Sequence, residues 1–186
     1  MLSDEALMLE FRGGSRAAFE EIFARYREPL YGFFRRRLDS RDRAEDLTQD
    51  TFVAVIRGAE RYEPRALLRT YLFGIALKLL AAERRMGSRT VSDAPEPDGV
   101  APQADEGLWV RQAIARLDPA EREVLMLREY DQLSYTEIAG LLRIPLNTVR
   151  SRLFRARMAL KRNLEARGGD ALAARAEGEV RHVRNP

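Results

Sequence analysis

The chain has 186 residues, 45% of them hydrophobic and 33% charged, with a net charge of +3, a pI near 9.5 and no cysteine. That is the composition of a globular chain with room for one or two small cores. It excludes disulfides, thiolate metal sites and cysteine nucleophiles, and no apolar run approaches the roughly 20 residues of a membrane span, so no membrane insertion is expected.

The first residues, MLSDEALMLEFRGG, carry acids where an export signal would carry bases, so a cytoplasmic protein is expected. Across residues 1–86 apolar side chains recur every three or four positions, and no β-branched stretch alternates as a strand would. This predicts a first helical domain. Within it, SRDRAEDLTQDTFVAVIRGAERYEP reads as a helix with two faces. Leu47, Thr51, Phe52, Val55 and Ala59 form the inward side, while Asp46, Gln49, Asp50 and Arg57 cluster on the other, around an exposed Val53. Two acids and a glutamine beside a valine suit a protein partner with basic groups. An ordinary solvated face carries the same pattern, so these residues alone leave both readings open. A helix over 71–85 follows, with Leu72, Ile75, Ala76 and Leu79 inward and Tyr71, Gly74, Lys78 and Arg85 outward.

Residues 87–107, GSRTVSDAPEPDGVAPQADEG, are rich in Pro, Gly, Ser and Asp and lack apolar periodicity. They read as a flexible acidic linker, in which Asp93, Glu96, Asp98, Asp105 and Glu106 stand against Arg89. Residues 108–166 form a second helical domain. Asp118 is the expected N-cap of a helix that has Pro119 at its first position. Ser134 and Glu137 have capping-box spacing at the start of the next helix, and Thr148 is the expected cap of the one after it. Small Ala139, a tight turn and inward Val149 at this spacing form a helix-turn-helix pattern.

With Arg150 as origin and about 100° per residue, Val149, Leu153, Ala156 and Leu160 share one core stripe, while Arg150, Ser151, Phe154 and Arg155 lie well away from it. Arg152 and Arg157 flank the stripe. Over 143–162 the charged residues are all basic: Arg143, Arg150, Arg152, Arg155, Arg157, Lys161 and Arg162. Such a block marks a polyanion partner. Phe154 among arginines fits contact with a thymine methyl or a sugar, with the arginines on phosphates or guanine edges; the alternative is packing on a neighbouring helix. The tail, 167–186, has room past Gly168-Gly169 for a helical turn or two.

RAEDLTQDTF, then TYLFGIALKLLAAERR, then SYTEIAGLL and NTVRSRLFRAR, together resemble the sigma factors of bacterial RNA polymerase, and most of all the compact extracytoplasmic-function group. The resemblance spans about residues 15–164. It implies an all-α fold of two small domains, with the second reading promoter DNA through the helix-turn-helix. By the same resemblance Asp46, Gln49 and Asp50, with Val53 among them, dock on the clamp helices of the polymerase. Residues 62–70, including Tyr62, Arg65 and Arg69, capture a base flipped from the −10 element. Tyr71, Gly74, Lys78 and Arg85 lie along the opened strand. Arg150, Ser151, Phe154 and Arg155 read the −35 element, with Asn147, Thr148 and Arg152 completing that set.

Three positions depart from the family pattern: Tyr71 stands for a tryptophan, Lys78 for an asparagine, and Arg143 for a glycine in the turn between the two helices. The implied partners are core RNA polymerase, promoter DNA both double-stranded and melted, and an anti-sigma factor. No enzyme is expected. The single histidine, His182, lies in the tail, and no phosphate loop or metal-ligand cluster is present, so no cofactor or metal is expected. A stand-alone helix-turn-helix regulator remains the alternative, and a DNA-independent interaction module a third class, which would show no salt-dependent DNA affinity.

Overall fold

The computed structural model describes residues 2–64, 67–87 and 105–182, and every regular element within them is helical. The chain divides into two compact units, Met1–Asp98 and Gly99–Pro186. Most of the expected 87–107 linker lies outside the described residues.

Unit 1 contains α1 (Asp4–Arg12), α2 (Arg16–Arg35), α3 (Arg41–Gly58), a 3-10 turn (Ala59–Arg61) and α4 (Leu68–Gly87). The first three begin on serines: the Ser3, Ser15 and Ser40 hydroxyls accept from the amides of Ala6, Ala18 and Arg43. Each cap satisfies an amide that the helix itself cannot, a contribution of about 1 kcal/mol. Leu30, Phe33 and Phe34 of α2, Val55 of α3 and Leu68, Leu72, Phe73, Ala76 and Leu80 of α4 are buried. Phe33 meets Phe34 and Phe73 edge-to-face, with centroids 5.1 and 5.5 Å apart. Each such side chain contributes about 1.5–3 kcal/mol by leaving water. The α4 core stripe therefore runs through Leu72, Phe73, Ala76 and Leu80, with the expected Ile75 and Leu79 half-buried at its edge.

Helix α1, which carries none of the expected site residues, anchors the connection into α4. Asp4 accepts from Arg25 Nη1 at 2.6 Å and from the Tyr26 hydroxyl. Next to it, Glu5 accepts the Leu68 amide at 3.0 Å, so a side chain 63 positions away caps α4. Arg12 donates to the Tyr62 carbonyl at 3.1 Å. Residues on either side of the 62–68 connection are thus held by one short helix.

Unit 2 contains α5 (Asp105–Ala115), α6 (Pro119–Glu129), α7 (Tyr135–Leu142) and α8 (Leu146–His182). Asp118 caps α6 through the amides of Ala120 and Glu121, and Ser134 with Glu137 forms both bonds of the capping box on α7. Val149, Leu153 and Ala156 of α8 are buried, as are Ile138 of α7 and Val124, Leu125 and Leu127 of α6.

Two expectations for α8 are corrected. Thr148 is not its cap: the helix starts at Leu146, and the Pro145 carbonyl accepts from the amides of Thr148 and Val149 at 2.9 and 3.2 Å. Thr148 is the third residue of the helix, already inside its first turn, so its hydroxyl does not stand at the cap position. The tail also holds more than the expected helical turn or two, because α8 runs through Gly168-Gly169 to His182. Glycine lowers helix stability by about 1 kcal/mol per residue without blocking the backbone hydrogen bonds.

Arg143 adopts φ 54° and ψ 47°, the left-handed conformation that closes α7. A side chain there costs about 1–2 kcal/mol relative to glycine. Arg143→Gly is therefore expected to raise unfolding free energy by about 1 kcal/mol, measured by denaturant titration. An unchanged or lowered value would show that the arginine side chain stabilises the turn.

Candidate nucleic-acid and protein interfaces

The outer face of α3 is exposed where the pattern requires. Asp46, Gln49, Asp50, Val53 and Arg57 all face solvent, while Leu47, Thr51, Phe52 and Val55 are buried. Thr51 satisfies its buried hydroxyl on the Leu47 carbonyl at 2.8 Å, which lets a polar residue sit inward. Ile56, one turn beyond Val53, is 49% exposed and extends the apolar strip. Phe23 of α2, also exposed, packs on Phe52 at 4.7 Å. Periodicity alone did not single out either residue, because each counts as one more apolar position.

Asp46 is held from inside the unit. Arg43 donates through Nη1 to Asp46 at 3.1 Å, and through Nε and Nη2 to both oxygens of Glu83 on α4 at 3.0 and 2.5 Å. One guanidinium therefore joins a residue of the α3 face to the C-terminal half of α4. The paired arginine draws the Glu83 carboxyl below its ordinary value of 4.5. A group lowered in the folded state stabilises above the unfolded value, and that stability is lost as pH falls through the lowered one.

Around α4 the expected residues separate by burial. Lys78 and Arg85 are exposed, Arg69, Tyr71 and Gly74 are half-buried, and Arg65 lies outside the described residues. Tyr62 differs from the expectation of a DNA-facing ring: it is 3% exposed, and its hydroxyl has no hydrogen-bond partner among the described residues. Its ring meets Tyr71 edge-on at 5.4 Å, so it supports Tyr71 from behind. Burial raises the Tyr62 hydroxyl's pKa and keeps it neutral. Tyr71 in turn lies across Gly58, where a Cβ would stand 2.7 Å from the tyrosine hydroxyl. Arg69 approaches the Phe73 ring at 5.9 Å.

On α8, Arg150, Ser151, Phe154 and Arg155 share the exposed side, with Asn147 also exposed and Thr148 and Arg152 half-buried. Phe154 is 64% exposed, so packing on a neighbouring helix does not account for it. Arg150 donates to Asn147 Oδ1 at 3.3 Å and Ser151 to the Thr148 carbonyl at 3.1 Å, which orients the first turn's polar atoms. Two arginines of this helix meet acids from α6: Arg155 with Glu121 at 2.6 Å and Arg157 with Glu129 at 2.7 Å. The basic block read along the chain is thus partly neutralised in space.

Glu83→Gln is expected to cost about 0.5–1 kcal/mol at pH 7, and the gap from the unsubstituted chain should close as pH falls below 4.5. Denaturation followed at several pH values measures it. A gap that persists unchanged at pH 3 would mean the carboxylate's charge contributes nothing.

Both units match known family models: sigma-70 region 2 over residues 22–90 and sigma-70 region 4 over residues 107–160. The RNA polymerase sigma factor YlaC of Bacillus subtilis (strain 168) is 31% identical over 161 residues, which cover 80% of this chain and 93% of that protein. SigW of the same organism, an extracytoplasmic-function sigma factor, is 26% identical over 174 residues, covering 83% of this chain and 93% of its own. Among solved structures, CnrH in complex with the cytosolic domain of CnrY matches with a TM-score of 0.68 and 26% identity, over 88% of this chain and 97% of that one.

Proposed function

The chain belongs to the extracytoplasmic-function group of the sigma-70 family of RNA polymerase factors, and from that premise we propose how its residues divide the work. It is a sigma factor: it binds core RNA polymerase and directs promoter-specific initiation of transcription. A stand-alone helix-turn-helix regulator would leave the region 2 match over residues 22–90 without a role.

Residues 1–86 are the polymerase-docking and −10 domain, and residues 108–166 the −35 domain, with 87–107 between them. Asp46, Gln49 and Asp50 meet basic groups of the polymerase clamp, with Val53 and Ile56 supplying apolar contact between them. Charged groups at the edge of such a surface set orientation and association rate, while the apolar centre supplies most of the affinity.

Arg65, Arg69, Tyr71, Gly74, Lys78 and Arg85 face the −10 element. Tyr62 acts through Tyr71, which it backs, and α1 steadies the segment through Glu5 and Arg12. Extruding a base from the duplex takes a few kcal/mol, which stacking and phosphate contacts on the captured strand offset without ATP. On α8, Arg150, Ser151, Phe154 and Arg155 read the −35 major groove. Asn147, Thr148 and Arg152 steady the approach to phosphates. The observation that carries this assignment is the exposed Phe154, set beside exposed Arg150, Ser151 and Arg155 on the side of α8 away from its buried stripe, where an aromatic edge and guanidinium groups together match the methyl and acceptor pattern of a major groove.

The factor performs no covalent chemistry of its own, in keeping with a family of initiation factors. We place it in the cytoplasm, where polymerase works; no described helix is long and apolar enough to cross a membrane. An anti-sigma partner is proposed by likeness to the sigma factor RpoE of Bartonella quintana, solved in complex with the anti-sigma factor NepR.

Run-off transcription with core polymerase tests the division of labour. The triple variant Asp46→Ala, Gln49→Ala, Asp50→Ala is expected to lose at least tenfold in core affinity and in transcript yield, with its melting temperature close to that of the unsubstituted chain. A variant that initiates normally would remove the α3 face from the polymerase interface.

A further inference from the structure

Helix α6 does more than cover α8, for it brings two carboxylates against a segment that has none of its own. The two pairs differ. Arg157 and Glu129 are each about half exposed, at 48% and 47%, as ordinary surface partners are. Arg155 and Glu121 are unequal: the guanidinium is 57% exposed and the carboxylate 15%. The sunken acid holds the exposed base at one point, Nε to Oε1 at 2.6 Å. The terminal amino groups of Arg155 make no hydrogen bond among the described residues.

Glu121 does not take the usual role of a residue at its position. It is third in α6, where a glutamate normally folds back on the N-cap amide, as Glu137 does on Ser134. Asp118 already caps α6 by its own side chain. The Glu121 carboxylate instead crosses to a residue 34 positions later.

We propose that Glu121 is a positioning residue for promoter readout: it grips Arg155 by Nε, so that the two terminal amino groups are presented as a fixed fork to the −35 groove. The inference rests on the reading that α8 enters that groove. Bidentate recognition of guanine O6 and N7 needs the fork in one orientation, whereas a phosphate accepts an arginine from many. A free arginine gives up rotamer freedom when it binds; one already held gives up less. The carboxylate also weakens sequence-independent attraction to the backbone. Both effects act in the same direction, raising affinity for the chosen site relative to any other DNA.

The test uses the chain assembled with core polymerase. The probes are the duplex that the unsubstituted factor selects from a library randomised at −35, and the same duplex with that element scrambled. Removing an acid from a DNA-binding face should tighten both complexes if charge alone matters. Under the proposal, Glu121→Ala weakens the selected duplex and leaves the scrambled one unchanged or tighter, so the ratio of affinities falls about tenfold. Glu121→Asp keeps the charge and the helix-start preference but withdraws the carboxylate by one methylene, and should lower the ratio similarly. It remains decisive if the alanine variant fails to fold, and circular dichroism checks both. The double variant with Arg155→Ala should match Arg155→Ala alone.

An unchanged ratio in Glu121→Asp together with equal tightening of both duplexes in Glu121→Ala would overturn the proposal. Arg155→Ala separates this failure from failure of the groove reading. If it lowers the ratio while the Glu121 variants do not, only the positioning role falls. If it leaves the ratio unchanged, Arg155 is not a reader and both fall.

Discussion

The apolar stripe of each helix fixes the rotation of that helix about its own axis, and every group on the far side is aimed by that rotation. On α8 the buried set is Val149, Leu153 and Ala156. A turn of one residue, about 100°, would bring Arg150 toward the place of Val149. The stripe's burial contributes about 1.5–3 kcal/mol for each large side chain, and an unpaired arginine in its place would cost several more. The same constraint acts on α3, where buried Leu47, Phe52 and Val55 leave Asp46, Gln49, Asp50 and Val53 no direction but outward. The working surfaces of this factor are therefore by-products of its cores. Its chemistry is recognition, for which correct presentation of ordinary side chains suffices.

What periodicity and capping could show follows from that dependence. The inward and outward sets of α3 and α8, the Asp118 cap and the Ser134–Glu137 box are local patterns, complete within a few turns of chain. Tertiary pairings are not. Glu5 reaches Leu68, Arg43 reaches Glu83 and Glu121 reaches Arg155 across 63, 40 and 34 positions. Nothing in the spacing of a charged residue announces which distant charge the fold will bring to it. Tyr62 illustrates a related limit: a tyrosine in a polar connection reads as exposed, yet Tyr71 and α1 enclose it. Thr148 has the residue type of a cap, but the helix starts two residues earlier, at Leu146.

These pairings also change the electrostatics. A run of seven bases without an acid suggests an unrelieved cationic helix, but α6 supplies a carboxylate to Arg155 and another to Arg157. Charge given up in this way lowers affinity for DNA in general. That loss is tolerable for a factor delivered to promoters by a polymerase that supplies affinity of its own. Unit 1 shows a parallel arrangement, in which Arg43 spans Asp46 and Glu83 and so ties the α3 surface proposed to meet polymerase to the helix proposed to meet the melted strand. In both units a residue proposed for recognition is ion-paired inside its own unit, Asp46 with Arg43 and Arg155 with Glu121.

This chain and polymerase together should open promoter DNA that neither opens alone. Permanganate reactivity of thymines across the −10 region measures that opening directly, on a promoter selected from a randomised library. Reactive thymines are expected only when chain and core polymerase are both present, and are expected to be lost when Tyr71 and Lys78 are replaced by alanine. A chain that binds its duplex equally well with or without polymerase, and never yields reactive thymines, would contradict it.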